Sequence, residues 1–198
     1  MTTYLYLVRH GETILNESKV YYGSTDCPLN SRGIIQAEEL GKTFKNNFDV
    51  VISSPLSRAI DTAKLLSGLN TRDMVIDEGL KEINFGLWEG LHYKDISIKF
   101  ENEWNEWIND WKNVAPPMGE SFLNQYNRVS NSLNHIIERF KDKRVVIVSH
   151  QGCLRIIASI LLKMEDRGFW SFTFDPGTYS LFEISDTNVT IRKINSKG

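Results

Sequence analysis

Cysteine is scarce: Cys27 and Cys153 are the only two in 198 residues. They stand in no CxxC or Cys/His spacing, and so read as reduced packing residues rather than a disulfide framework. Basic tracts are missing as well. With 23 Lys and Arg against 25 Asp and Glu, the formal net charge is −2. That balance argues against a nucleic-acid surface and leaves any phosphate-seeking role to a local cationic pocket. No stretch approaches the roughly 18 apolar residues of a spanning helix. The N-terminus also lacks a charged region followed by a short apolar one, so no membrane partner and a cytoplasmic location are expected. No Pro/Gly/Ser-rich linker interrupts the chain, and a single domain over residues 1–198 is expected. HExxH and carboxylates clustered at ligand spacing are absent too, so no metal is expected.

What is present begins with Tyr4-Leu5-Tyr6-Leu7-Val8-Arg9-His10-Gly11-Glu12-Thr13, where an apolar β run stops on a cation, an imidazole and a glycine. Ligands of open α/β sheets bind outside the carboxyl ends of strands, which places Arg9 and His10 toward a cleft. Gly11 is expected to let the backbone pass close to a bound group, and Glu12-Thr13 to open a short helix whose N–H groups favour an anion.

The aromatic and turn residues from Tyr21 to Pro28 line a site rim or pack on it; both readings stay open. Asn30 or Ser31 then caps a helix with Ala37, Leu40, Gly41 and Phe44 on one face and Glu38, Glu39, Lys42 and Lys45 elsewhere. Val50 to Ser53 reads as a buried strand followed by Ser54 as N-cap and Pro55 at the first helical position. Arg58 falls in that helix's first turn, where its planar fork suits phosphate oxygens.

The loop Leu80 to Leu91 carries two carboxylates among aromatics and glycines. Glu82, near Ile83, Phe85 and Trp88, is the candidate acid, since desolvation there would raise its pKa. Glu89 pairs locally or caps. Asp95 to Lys112 reads as helical with Phe100, Trp104, Trp107, Ile108 and Trp111, a stripe that is core unless it overhangs a cleft. Pro116-Pro117 breaks it. A long helix follows with Phe122, Tyr126, Val129, Leu133, Ile136, Ile137 and Phe140 on one stripe, and His135 in it has no partner motif. Arg144 to Ser149 repeats the opening design: an apolar strand ends on His150-Gln151-Gly152, and an apolar helix from Leu154 to Leu162 follows. Tyr179 to Ile194 reads as a hairpin turning near Asp186-Thr187-Asn188.

Two histidines, two arginines and a glutamate without a metal motif suit phosphoryl transfer to His10, with the cations on the equatorial oxygens and Glu82 protonating the departing oxygen. Leu7-Val8-Arg9-His10-Gly11-Glu12-Thr13 with Asn16, Ser53-Ser54-Pro55-Leu56-Ser57-Arg58-Ala59, Glu82 before Phe85-Gly86-Leu87-Trp88-Glu89-Gly90, and Ser149-His150-Gln151-Gly152 together resemble the histidine phosphatase superfamily, also called phosphoglycerate mutase-like. The resemblance spans nearly the whole chain. It implies an α/β fold, a three-layer α/β/α sandwich around a mostly parallel sheet. It also implies His10 as phosphohistidine nucleophile, and Arg9, Arg58 and His150 as the phosphate pocket. Asn16 becomes a further phosphate contact, with Gln151 and Gly152 beside it, and Glu82 the proton donor. A small-molecule phosphate ester is the implied partner, with no cofactor. Met118 and Gln151 depart from patterns common among relatives, which bears on the substrate-facing side. Beside a phosphatase of one substrate, the functional alternatives are a broad-specificity histidine phosphatase, a phosphoglycerate mutase and, in a different class, a non-catalytic phosphate binder. The chain is shorter than typical cofactor-dependent mutases, and retention of all five polar residues disfavours a mere binder.

Overall fold

Alternation in the first strand divides the molecule. In β1 (Thr2–Arg9) Leu5, Tyr6, Leu7 and Val8 are all buried, Leu5 and Leu7 on one side and Tyr6 and Val8 on the other. This is the signature of a strand covered on both faces. The computed structural model describes residues 2–44 and 47–198; Lys45 lies outside them.

Five further strands complete the sheet: β2 (Val50–Ser53), β3 (Val75–Ile76), β4 (Arg144–Ser149), β5 (Tyr179–Ser185) and β6 (Val189–Ser196), in the order β3-β2-β4-β1-β5-β6. The first four run parallel, and β5 and β6 form the expected antiparallel hairpin at one edge. Two helices, α2 (Ser31–Phe44) and α3 (Ser57–Ser67), pack Leu40, Phe44, Ala59 and Ala63 against Tyr6, Val8, Val51, Val146 and Val148. On the opposite face α6 (Phe122–Arg139) and α7 (Gln151–Leu161) pack Val129, Leu133, Ile136, Leu154 and Ile157 against Leu5, Leu7, Ile52, Val145 and Ile147. The architecture is the three-layer sandwich expected. Asn30 is the residue that caps α2, its Oδ1 accepting from Gly33 N at 2.8 Å.

Three local readings need correction. The helix after β2 begins at Ser57, so Leu56, not Ser54, is its N-cap, without a side-chain cap bond. The four-residue α1 (Ile14–Glu17) spends its N-terminal turn on a capping box between Thr13 and Asn16 rather than on an anion. The expected aromatic helix is two, α4 (Tyr93–Lys99) and α5 (Glu101–Asn109), parted at Phe100, whose φ of −129° and ψ of 47° leave the helical region.

Candidate active site

Strand register brings the two histidines together. Arg9 of β1 pairs with Ser149 of β4, so the next residues, His10 and His150, leave adjacent parallel strands side by side, with ring centroids 5.1 Å apart. Ser54 leaves β2 on the other side of β4, and its hydroxyl lies 2.8 Å from His150 Nε2. That contact replaces the expected cap.

Hydrogen bonds fix both rings. His10 Nδ1 lies 2.7 Å from the Gly11 carbonyl, which can only accept, so Nδ1 carries the proton and Nε2 keeps its lone pair. Arg58 Nε donates to His150 Nδ1 at 3.3 Å, so His150 carries its proton on Nε2, toward Ser54. His10 is held well below the ordinary imidazole pKa by burial first, then by Arg58 and Arg9; for His150 burial, Arg58 and His10 act in that order. A buried neutral imidazole between two cations is a competent nucleophile near pH 7.

Arg58, fully buried, is caged by backbone: Nη1 donates to Thr25 O at 2.9 Å and Nη2 to Gly23 O at 2.6 Å, with the Tyr22 ring centroid 4.9 Å from its Cζ. Glu89 holds that loop. Its carboxylate accepts from the N–H groups of Gly23, Ser24, Thr25 and Phe85. Burial pushes the Glu89 pKa up, but these donors outweigh it and leave the carboxyl below its ordinary value. Arg9 gives Nη1 to Gln151 Oε1 and to Phe174 O, both at 2.6 Å, while its buried Nε has no partner among the described residues. A buried unpaired donor costs about 1–3 kcal/mol, which an incoming anion would relieve.

Glycine at two positions is required by close approach. A Cβ on Gly11 would stand 2.4 Å from Gly33 O, so close contact with α2 by itself requires glycine there. On Gly152 it would stand 2.4 Å from Glu82 Oε1; without it, Gly152 N donates to Glu82 Oε2 at 2.9 Å. Gln125 Nε2 donates to Oε1 of the same carboxylate at 2.8 Å. The Glu82 backbone is clamped by Arg128, whose five N–H donors reach Gly79 O, Lys81 O, Glu82 O and both oxygens of Glu120. The Cys153 thiol, pushed up to about 12 by burial and by Glu82, donates to Lys81 O and is a packing group, as expected.

Glu82 sits where two cavities meet. One, of about 330 Å³, is lined by Arg9, Asn16, Tyr22 and Gln151. The other, of about 200 Å³, is lined by Trp107, Trp111, Phe122, Arg155, Phe169 and Trp170, and both share Tyr21, Glu82, Phe85 and Gln151. Asn16 uses Oδ1 on Thr13 N, so only its amide nitrogen is offered to the first cavity. Trp107 and Trp111 therefore overhang the cleft, while Trp104 packs on Trp88 and the exposed Tyr93 lies tilted against His92. Sequence reasoning missed Gln125, Arg155, Phe169 and Trp170. Two carried a signal: Gln125 is an amide on the buried stripe of α6, and Arg155 is a lone cation in the apolar α7. Among the described residues no three His, Cys, Asp or Glu side chains come close enough to hold a metal ion, and no helix is long and apolar enough to cross a membrane.

The two neutral histidines predict a pH profile for stability. Below the unfolded-state value of 6.5 the unfolded chain binds protons that folded His10 and His150 refuse, so stability is present above pH 6.5 and lost as pH falls toward their depressed folded values. Each contributes a slope of up to about 1.4 kcal/mol per pH unit in that window. Urea midpoints measured in phosphate-free buffer from pH 7.5 to 5.5 should fall on the acid side; a flat profile would contradict the burial of both rings.

Residues 5–197 match the family model of the histidine phosphatase superfamily (branch 1). The chain is 34% identical to the adenosylcobalamin/α-ribazole phosphatase of Escherichia coli over 194 residues, 98% of this chain and 96% of that one. It is 31% identical to phosphoserine phosphatase 1 of Hydrogenobacter thermophilus, over 96% of this chain and 91% of the other. The crystal structure of the α-ribazole phosphatase from Shigella flexneri superposes with a TM-score of 0.88 at 35% identity, covering 98% and 96% of the two chains.

Proposed function

The chain belongs to the histidine phosphatase superfamily, branch 1, and from that premise we propose that it is a phosphomonoester hydrolase working through a phosphohistidine, with α-ribazole 5′-phosphate as its substrate. The observation that carries the chemistry is the locked His10 ring, with Nδ1–H on the Gly11 carbonyl and a free Nε2 between two arginines. In the first step Nε2 forms the P–N bond as the P–O bond to the leaving alcohol breaks. The Gly11 carbonyl supports the imidazolium so created. Arg9, Arg58 and the Asn16 amide meet the phosphoryl oxygens, His150 turns its Nε2–H from Ser54 to them as the anion enters, and Glu82 gives its proton to the departing oxygen. In the second step Glu82 takes a proton from water, the water oxygen attacks phosphorus, and the P–N bond breaks to release inorganic phosphate and His10.

Two observations support the substrate: two of the relatives are named for α-ribazole, and an aromatic cavity adjoins Glu82, the proposed donor to the departing alcohol. A benzimidazole riboside offers a flat apolar face to Trp107 or Trp111. Phosphoserine phosphatase is the second reading, favoured by the Hydrogenobacter relative. A cytoplasmic location and a single-domain chain belong to the same proposal. Released phosphate measured on α-ribazole 5′-phosphate, O-phosphoserine, 3-phosphoglycerate and p-nitrophenyl phosphate tests it. Stacking alone, worth about 0.5–1.5 kcal/mol, contributes up to roughly tenfold to a kcat/KM preference for the first, which should be unaffected by EDTA. No preference would leave a histidine phosphatase of another substrate, and loss of turnover on chelation restored by a divalent ion would replace the metal-free mechanism.

A further inference from the structure

The aromatic cavity beside Glu82 contains one cation that the proposed chemistry does not use. Arg155 lies on α7, one turn beyond Gly152, and lines the cavity together with Gln125 and Glu82. Its Nε donates to Phe172 O at 2.7 Å, and its Cζ stands 5.5 Å from the Phe169 ring centroid and 5.3 Å from that of Trp170. The guanidinium is thus pinned by one N–H and held against two rings. Among the described residues neither terminal nitrogen has a hydrogen-bond partner, and neither is a buried orphan. Four N–H donors in a fixed plane are therefore offered to the space that the rings enclose. An arginine needed only to hold Phe172 O would not require a half-desolvated site in the cavity wall. A group that merely stacks would leave the donors unused.

We propose that Arg155 is the specificity-determining residue of the leaving-group pocket, its terminal N–H groups receiving an uncharged acceptor on the edge of a flat heterocycle while the indoles take the faces. The heterocycle is the commitment. Trp107, Trp111, Phe122 and Trp170 give the cavity shared with Arg155 an apolar wall, which a planar ring can cover and the short polar side chain of a serine cannot. For α-ribazole 5′-phosphate the acceptor is the ring nitrogen of the benzimidazole that bears no ribose. This inference rests on the substrate reading above and adds the residue that enforces it.

Kinetics on three esters test it: α-ribazole 5′-phosphate, 1-naphthyl phosphate, which is flat but has no ring acceptor, and O-phosphoserine, which has a carboxylate but no ring. Arg155→Met should lower kcat/KM for α-ribazole 5′-phosphate by about 10- to 100-fold, mostly through KM, as for one lost hydrogen bond to a charged group. The loss on 1-naphthyl phosphate should be at least several-fold smaller, so that the ratio of the two falls. Arg155→Lys, which keeps the charge without the planar fork, should recover only part of the loss. Trp170→Ala, at an exposed ring, should shift the ratio the same way with the Arg155 side chain intact, and thermal melting reports whether each variant folds. Equal losses on the two flat esters, or a larger loss on O-phosphoserine, would overturn the role of Arg155 while leaving the substrate standing. Wild-type enzyme no better on α-ribazole 5′-phosphate than on O-phosphoserine would overturn the substrate reading itself.

Discussion

Replacement of His10 by alanine is expected to lower kcat by at least about 10⁴-fold on every phosphate ester, because it removes the atom that, in the proposed mechanism, forms the P–N bond. The effect should be independent of leaving group, since the nucleophile is common to all substrates. Rapid quenching of wild-type enzyme with labelled ester should trap an acid-labile, base-stable protein phosphate, and the variant should give none. His10 is 2% exposed and its ring touches Gly11 and His150, so alanine also opens a cavity. His10→Asn, which fills more of the space and can still donate to a carbonyl, separates loss of chemistry from loss of fold. Phosphate release by either folded variant at near wild-type rate would refute the assignment, as would the absence of labelled protein under single-turnover conditions.

The two histidines were legible because each strand advertises its own end: four buried apolar residues, one polar residue, then His, then Gly within two positions. Their adjacency was not legible. It follows from the pairing of Arg9 with Ser149 across a parallel register that no local pattern encodes. Ser54 shows the same limit. Ser-Pro before a helix reads as a cap by local chemistry, but the imidazole of residue 150, distant in sequence, is the partner its hydroxyl meets in the folded sheet. Gly11 stood out at the strand end, but the backbone it admits, that of Gly33 in α2, could not be read from the sequence. The wall of the aromatic cavity was half visible. Trp107 and Trp111 stood out by helical spacing, whereas Phe169 and Trp170 lie in the 3-10 segment Glu165–Ser171, which has no periodicity to read.

The replacement Glu82→Gln divides substrates instead of silencing all of them. An alkoxide such as a ribose 5′-oxygen departs poorly without a proton, so the variant should slow α-ribazole 5′-phosphate by about 10²–10⁴-fold. p-Nitrophenolate leaves unaided, and its ester should lose less than roughly tenfold. Across a series of aryl phosphates the dependence of kcat/KM on leaving-group pKa should steepen. The surroundings of the carboxylate add a second readout. Oε1 accepts from Gln125 Nε2 and Ile83 N, and Oε2 from Gly152 N, so the new amide must aim its NH₂ at a donor on either side. Rotation of the Gln125 amide removes only its own conflict; Ile83 N at Oε1 or Gly152 N at Oε2 then faces the new NH₂, so in either orientation one backbone N–H loses its acceptor at a cost of about 1–3 kcal/mol of stability. Glu82→Gln combined with Gln125→Glu places an acceptor opposite the new amide and should recover part of the thermal stability without recovering the rate on poor leaving groups. That split identifies the proton, rather than the hydrogen-bonded frame, as what Glu82 supplies. Equal losses on p-nitrophenyl and alkyl esters would place Glu82 in the frame alone and leave the departing oxygen to be protonated by another group.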